Sequence, residues 1–127
     1  MANVISRAQR SQEVYASAAR TATPDTVELE LPGGVQYAQV VIDCTAAAAT
    51  PSVVFTVSGV DRVSGKVYTL LASAAVTATG TTVLRIGPGL TAAANLVAND
   101  VLPPVIRFTA THGDADSITY SVGAHFA

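Results

Sequence analysis

From residue 117 to residue 126 the chain reads SITYSVGAHF, and every second side chain is apolar: Ile118, Tyr120, Val122, Ala124 and Phe126. Ser117, Thr119, Ser121, Gly123 and His125 fill the alternate positions. Successive side chains of a β-strand point to opposite faces, so this spacing predicts a strand with one face in a core and the other at a surface. A helix would scatter the same apolar residues around its circumference. A chain with such a strand must also supply partner strands and a second layer to cover the apolar face.

Six further segments fit. Residues 26–31 alternate, with Val27, Leu29 and Leu31 facing one way and Glu28 and Glu30 the other. In residues 35–44, Val40, Ile42 and Cys44 share a face, and in residues 52–60, Val53, Phe55 and Val57 alternate with Val54, Thr56 and Ser58. Residues 66–73, 82–87 and 104–112 complete the set, with Leu84, Ile86, Ile106, Phe108 and Ala110 inward and Arg85 outward. Turn-forming residues separate the segments, among them Pro32-Gly33-Gly34 and Pro88-Gly89. The expected fold is all-β: an antiparallel, jelly-roll-like sandwich of about seven to eight strands. Only the connection LTAAANLVAN, residues 90–99, has room for a turn of helix.

A chain of 127 residues is long enough for one domain that buries roughly two thirds of its unfolded surface without a metal or disulfide. Charged residues are 13% and aromatics 6% of the composition. The outward strand faces carry Thr and Ser rather than the Lys and Glu that guard lone sheet edges, which implies that other subunits cover part of this surface.

Residues 1–23 depart from the pattern. MANVISRAQRSQEVYASAARTAT has weak helical spacing at Val4, Ala8, Ser11 and Tyr15 and ends at a breaker, Pro24. The expectation is an N-terminal arm that orders only against a partner, followed by a sandwich domain over residues 24–127. Residues 1–20 carry net charge +2 and the remainder −4. Val4, Ile5, Val14 and Tyr15, with Arg7, Arg10 and Arg20, are therefore the candidate partner-binding residues. Three arginines without interleaved aromatics do not make a nucleic-acid surface.

The stretch GVDRVSGKV, residues 59–67, has two glycines and a lysine in the manner of a phosphate-binding loop. Its spacing is one residue too long, Val67 stands where a hydroxyl must hold magnesium, and strands flank it on both sides. It is expected to be a hairpin loop, with Asp61 and Ser64 bonding to local backbone and Gly65 supplying a positive φ. His112, Asp114 and Asp116 sit at alternate positions but offer too few oxygens for a hard cation, so a turn is expected there. Glu28 and Glu30 read as a solvated pair rather than a glycosidase pair. Cys44 is the sole cysteine and reads as a buried small residue, which excludes an intrachain disulfide and a cysteine-based zinc site. No nucleophile elbow occurs. The chain is read as non-enzymatic, without cofactor or metal. It shows no secretory h-region and no apolar run of membrane-spanning length, so synthesis in the cytoplasm without a membrane partner is expected.

The phrases TPDTVELELPGG, ATPSVVFTVSGVDRVSGKVYTLLASAAVTATGTTVLRIGPGL and NDVLPPVIRFTATHGDADSITYSVGAHF, over about residues 21–126, resemble short β-sandwich virion proteins of tailed phages, particularly those of actinobacteria. The resemblance includes no catalytic signature. It implies a virion structural protein, a capsid decoration or head-fibre base protein assembled in the host cytoplasm, whose partners are the major capsid protein and itself as a homotrimer. The other role it leaves open is a tail, baseplate or fibre module that attaches to host glycans, for which Tyr37 and Tyr68 are the strongest candidates in the body.

Overall fold

The computed structural model describes residues 10–127 in full and the backbone of residues 3–4. Ten strands occur among them and no helix: β1 (Asn3–Val4), β2 (Ser11–Arg20), β3 (Val27–Glu30), β4 (Ala38–Ala47), β5 (Val53–Val60), β6 (Val67–Ala72), β7 (Gly80–Gly87), β8 (Val97–Asn99), β9 (Val105–His112) and β10 (Ile118–Phe126). One sheet has the order β1-β3-β9-β5-β6 and the other β2-β10-β4-β7-β8. All pairs are antiparallel except β1 with β3 and β7 with β8.

The eight longer strands pair as a nested ladder. β2 pairs with β10, β3 with β9, β4 with β7, and β5 with β6. Two further pairings, β10 with β4 and β9 with β5, roll that ladder into two sheets. The seven segments read as strands all become strands, and the inward residues of the alternating ones form one core: Leu29, Ile42, Val53, Leu84, Ile86, Ile106, Ile118 and Tyr120 are almost wholly buried. At its centre the Phe55 ring meets Tyr120 edge-on, with centroids 4.9 Å apart.

Residues 11–20 are not an arm. They form the ten-residue edge strand β2, whose Val14 and Tyr15 belong to the core. The alternation that would reveal a strand is broken twice: a shift between the pairings to Val122 and Gly123 leaves Val14 as the extra residue, so that Val14 and Tyr15 point inward in succession, and a bulge over residues 16–17 lies between the pairings to Tyr120 and Val122. Tyr15 also ties the sheets together, its hydroxyl donating to the Asp25 carbonyl at 2.9 Å with the Phe108 carbonyl at 3.3 Å. Burial pushes its phenol up to about 12. Arg20 completes the bulge: its guanidinium donates to the carbonyls of Ala16, Ala18 and Tyr120 and lies 4.6 Å from the Tyr120 ring centroid. The boundary between arm and domain at residue 23 therefore falls inside the sandwich, in the link from β2 to β3.

Residues 90–99 hold a tight turn rather than a turn of helix. Leu96 and Val97 both donate to the Ala93 carbonyl, Asn95 takes φ +63°, and the chain then enters β8.

Candidate functional site

The antiparallel register fixes which loops share an end. At one end lie residues 31–37, 61–66 and 100–104, the start of β2 and the C-terminal Ala127. The other end collects residues 21–26, 48–52, 73–79 and 113–117. The second set is made of small residues and Asp25, Asp114 and Asp116. The first carries large ones. Among the described residues, six large hydrophobics are exposed, and Tyr37, Val63, Val67, Tyr68 and Val101 are all at this loop end.

Four of the five are held outward by local chemistry. Residues 61–66 form the hairpin loop expected from their turn residues: Asp61 accepts from the Val63 and Ser64 amides and the Ser64 hydroxyl, Gly65 has φ +75°, and the Gly65 amide donates to the Asp61 carbonyl. Those hydrogen bonds hold the Asp61 carboxyl below its ordinary range. Val63 stands at the tip, 96% exposed. Val101 follows Asp100 in the crossing to β9 and is 69% exposed. The Tyr37 hydroxyl donates to the Pro88 carbonyl at 3.0 Å, and its ring covers Gly87; Tyr68 covers Gly59 in the same way.

Shallow grooves separate these side chains. Val60, Arg62, Lys66, Tyr68, Pro103 and Pro104 line one of about 470 Å³, and Val35, Pro88, Val101 and Leu102 contribute to another of about 360 Å³. A third, of about 290 Å³, runs beside Tyr37 over Gln39, Arg85 and His125, which lie in one cross-strand row. The end is thus apolar at its tips, with Asp61, Lys66 and the Glu30-paired Arg62 between them. It suits adhesion to a surface more than enclosure of a small molecule.

The candidate partner-binding residues do not gather into one anchor. Ile5 and Arg7 lie outside the described residues, and of Val4 only the backbone in β1 is described. Arg10 is exposed at the loop end, its carbonyl accepting from the Phe126 amide. Val14 and Tyr15 are core residues, and Arg20 is spent on the bulge carbonyls. Sequence reasoning missed Val63 and Val101, although each is an apolar residue set among turn formers, which is a legible signal.

The other candidates are accounted for by structure. Glu28 pairs with Arg107 and Glu30 with Arg62. Asp116 accepts from the Thr50 amide and hydroxyl, and Asp114 from the Asp116 amide, as turn residues do. His112 faces inward with Nε2 2.9 Å from the Tyr120 hydroxyl, whereas His125 is exposed and bonds to Ser11. Cys44 is buried, and burial pushes its thiol up. Among the described residues no group of three His, Cys, Asp or Glu side chains is placed to hold a metal ion, and no helix is long and apolar enough to cross a membrane.

No protein-family model, curated protein or solved structure matches this chain.

Proposed function

We propose that the chain is a phage virion structural protein, a capsid decoration protein that binds the outside of the assembled head shell in many copies and stabilises it, with the loop end as its docking surface. The observation that carries this reading is the gathering of Tyr37, Val63, Val67, Tyr68 and Val101 at one end of a sandwich whose other end is small and acidic. Exposed apolar side chains concentrated in this way mark an interaction surface. The nested strand ladder of the two-sheet sandwich supports the reading, since we take it as jelly-roll-like, and jelly rolls are an architecture of viral capsid domains. A fold does not by itself assign a role, so the weight rests on the loop end. Shallow grooves are sufficient for this task, because a shell multiplies a weak contact through avidity.

The test is co-sedimentation with head shells that lack the protein, comparing the native chain with a Val63→Ser/Val101→Ser variant. Both positions are exposed, so the variant keeps its fold. Occupancy should drop about tenfold or more, as expected when a central apolar contact is removed. Equal occupancy would reject the loop end as the docking surface.

One observation favours a second reading, attachment of a tail or fibre module to host glycans: Tyr37 and Tyr68 present exposed rings at the same end. Binding of the free protein to host cell-wall glycans, lost on Tyr37→Ala or Tyr68→Ala, would favour that role over the shell.

A further inference from the structure

We propose that two copies of this chain pair through the free edge of β6, strand against antiparallel strand about a two-fold axis at Tyr68, and so join two five-stranded sheets into one of ten. This contact does not depend on the role in a virion and forms in the free protein.

Three observations on the same flank lead to it. The first is backbone chemistry. β6 ends its sheet with β5 as its only strand neighbour among the described residues. The Asp61 amide donates to the Lys66 carbonyl at 2.8 Å, so Lys66 and then Tyr68 turn their backbone groups toward β5. Antiparallel alternation therefore points the N–H and C=O of Val67 and Thr69 outward. Farther along, the 88–96 loop covers the edge, with the Asn95 side-chain Nδ2 donating to the Ala72 carbonyl at 3.0 Å. The open stretch is thus Val67 to Leu70. What fits an open strand edge is another strand.

The second observation is charge. Residues 67–99 contain a single charged side chain, Arg85, which is on β7 in the other sheet. Natural edges are guarded by lysine, proline, inward charges or a bulge; Val67-Tyr68-Thr69 has none of these, and the register shift of β6 against β5 falls just beyond it, at Leu70. Beyond Lys66, which precedes the open stretch, a partner recognised by charge would find nothing to read along this flank. A second copy meets the same neutral flank without like-charge repulsion.

The third is exposed apolar surface beside the edge. Val63, Val67, Tyr68 and Leu96 border it, and an uncharged groove of about 460 Å³ lined by Ala75, Thr77, Thr79, Thr82 and Leu96 lies beyond. A two-fold at Tyr68 sets Val67 opposite Thr69 of the second copy and Thr69 opposite its Val67. Both pairs are outward-facing, which allows four backbone hydrogen bonds. The two Tyr68 residues then face each other as a non-hydrogen-bonded pair, the type with the closer side chains. Identical strands satisfy this register by symmetry, and a two-fold contact closes on itself at two copies.

Sedimentation equilibrium of the full chain across low to high micromolar concentrations tests the proposal, with three variants. Thr69→Pro removes an outward N–H and no bond to β5, and should weaken dimerisation about tenfold or more while thermal unfolding of the monomer stays cooperative. Thr109→Lys adds charge on the same sheet away from the edge and should leave the dimer intact. Tyr68→Cys places thiols across the axis and should give a disulfide-linked dimer on mild oxidation, with Cys44 buried and unreactive. A native chain that stays monomeric at the highest concentration would overturn the proposal. So would a trimer, or a dimer indifferent to Thr69→Pro. Because no shell enters these measurements, failure of the decoration role leaves their outcome unchanged.

Discussion

The ring of Tyr68 occupies the space where Gly59 would carry a β-carbon. Gly59 is opposite Tyr68 in the β5–β6 pairing, and a β-carbon built there would run into Cζ, Cε2 and the hydroxyl of the ring. Tyr37 and Gly87 repeat the arrangement in the other sheet. In both pairs an aromatic ring replaces the side chain that the glycine lacks and covers the backbone of its neighbour strand.

Gly59→Ala should therefore displace the Tyr68 ring and cost about 1–2 kcal/mol, as overpacking does. Because Tyr68 is 45% exposed, the ring can swing into solvent and the fold survives. In a Tyr68→Ala background the clash is gone, and Gly59→Ala should be neutral or stabilising. A double-mutant cycle by chemical denaturation reads the coupling; additive effects would contradict it.

Deleting residues 1–20 should unfold the sandwich. β2 covers β10 along its length, and without it Tyr120 and Val122 lose Tyr15 and Val14. The far-ultraviolet β signal and the cooperative melt should both disappear. Within the intact chain, Arg20→Lys should recover little of the loss in Arg20→Ala, because an ammonium cannot reach three carbonyls in the plane that the guanidinium fork does.

His112 makes stability fall in mild acid. It is held below its ordinary value of 6.5 first by burial and then by the Arg20 charge, with Asp114 opposing. Its folded form is therefore the poorer proton binder, and the unfolded chain takes up the proton first. Stability is full above pH 6.5, declines as pH falls through 6.5 toward the folded pKa, and levels off below it. Protonation also fixes an N–H at Nε2, which must then donate to the Tyr120 hydroxyl. Melting temperatures across this range should slope for the native chain and flatten for His112→Asn.

The two ion pairs on the outer face of the first sheet should differ in worth. Glu28 and Arg107 are 28% and 32% exposed, whereas Glu30 and Arg62 are 40% and 53% exposed. Glu28→Gln should cost about 1 kcal/mol, since it leaves a half-buried guanidinium without its carboxylate. Glu30→Gln should cost under about 0.5 kcal/mol and nothing at high salt. Denaturant midpoints for the two variants check the order.

The period-two pattern by itself determined six strands, their inward faces and the all-β class, because alternation is a property of each strand alone, and residues 66–73 followed as the partner across the hairpin loop. The GVDRVSGKV loop was equally legible, since its spacing and flanks are local. β2 was not: a bulge breaks its parity, and its only strand partner among the described residues is β10, about a hundred residues later in the chain. For the same reason Arg20 looked like a free cation until the bulge carbonyls were seen around it. Only the nested pairing decided which loops share an end. It brought Tyr37, Val63, Val67, Tyr68 and Val101 together from three separate stretches of chain and left β6 at an open edge, and no local pattern in the sequence encodes either relationship.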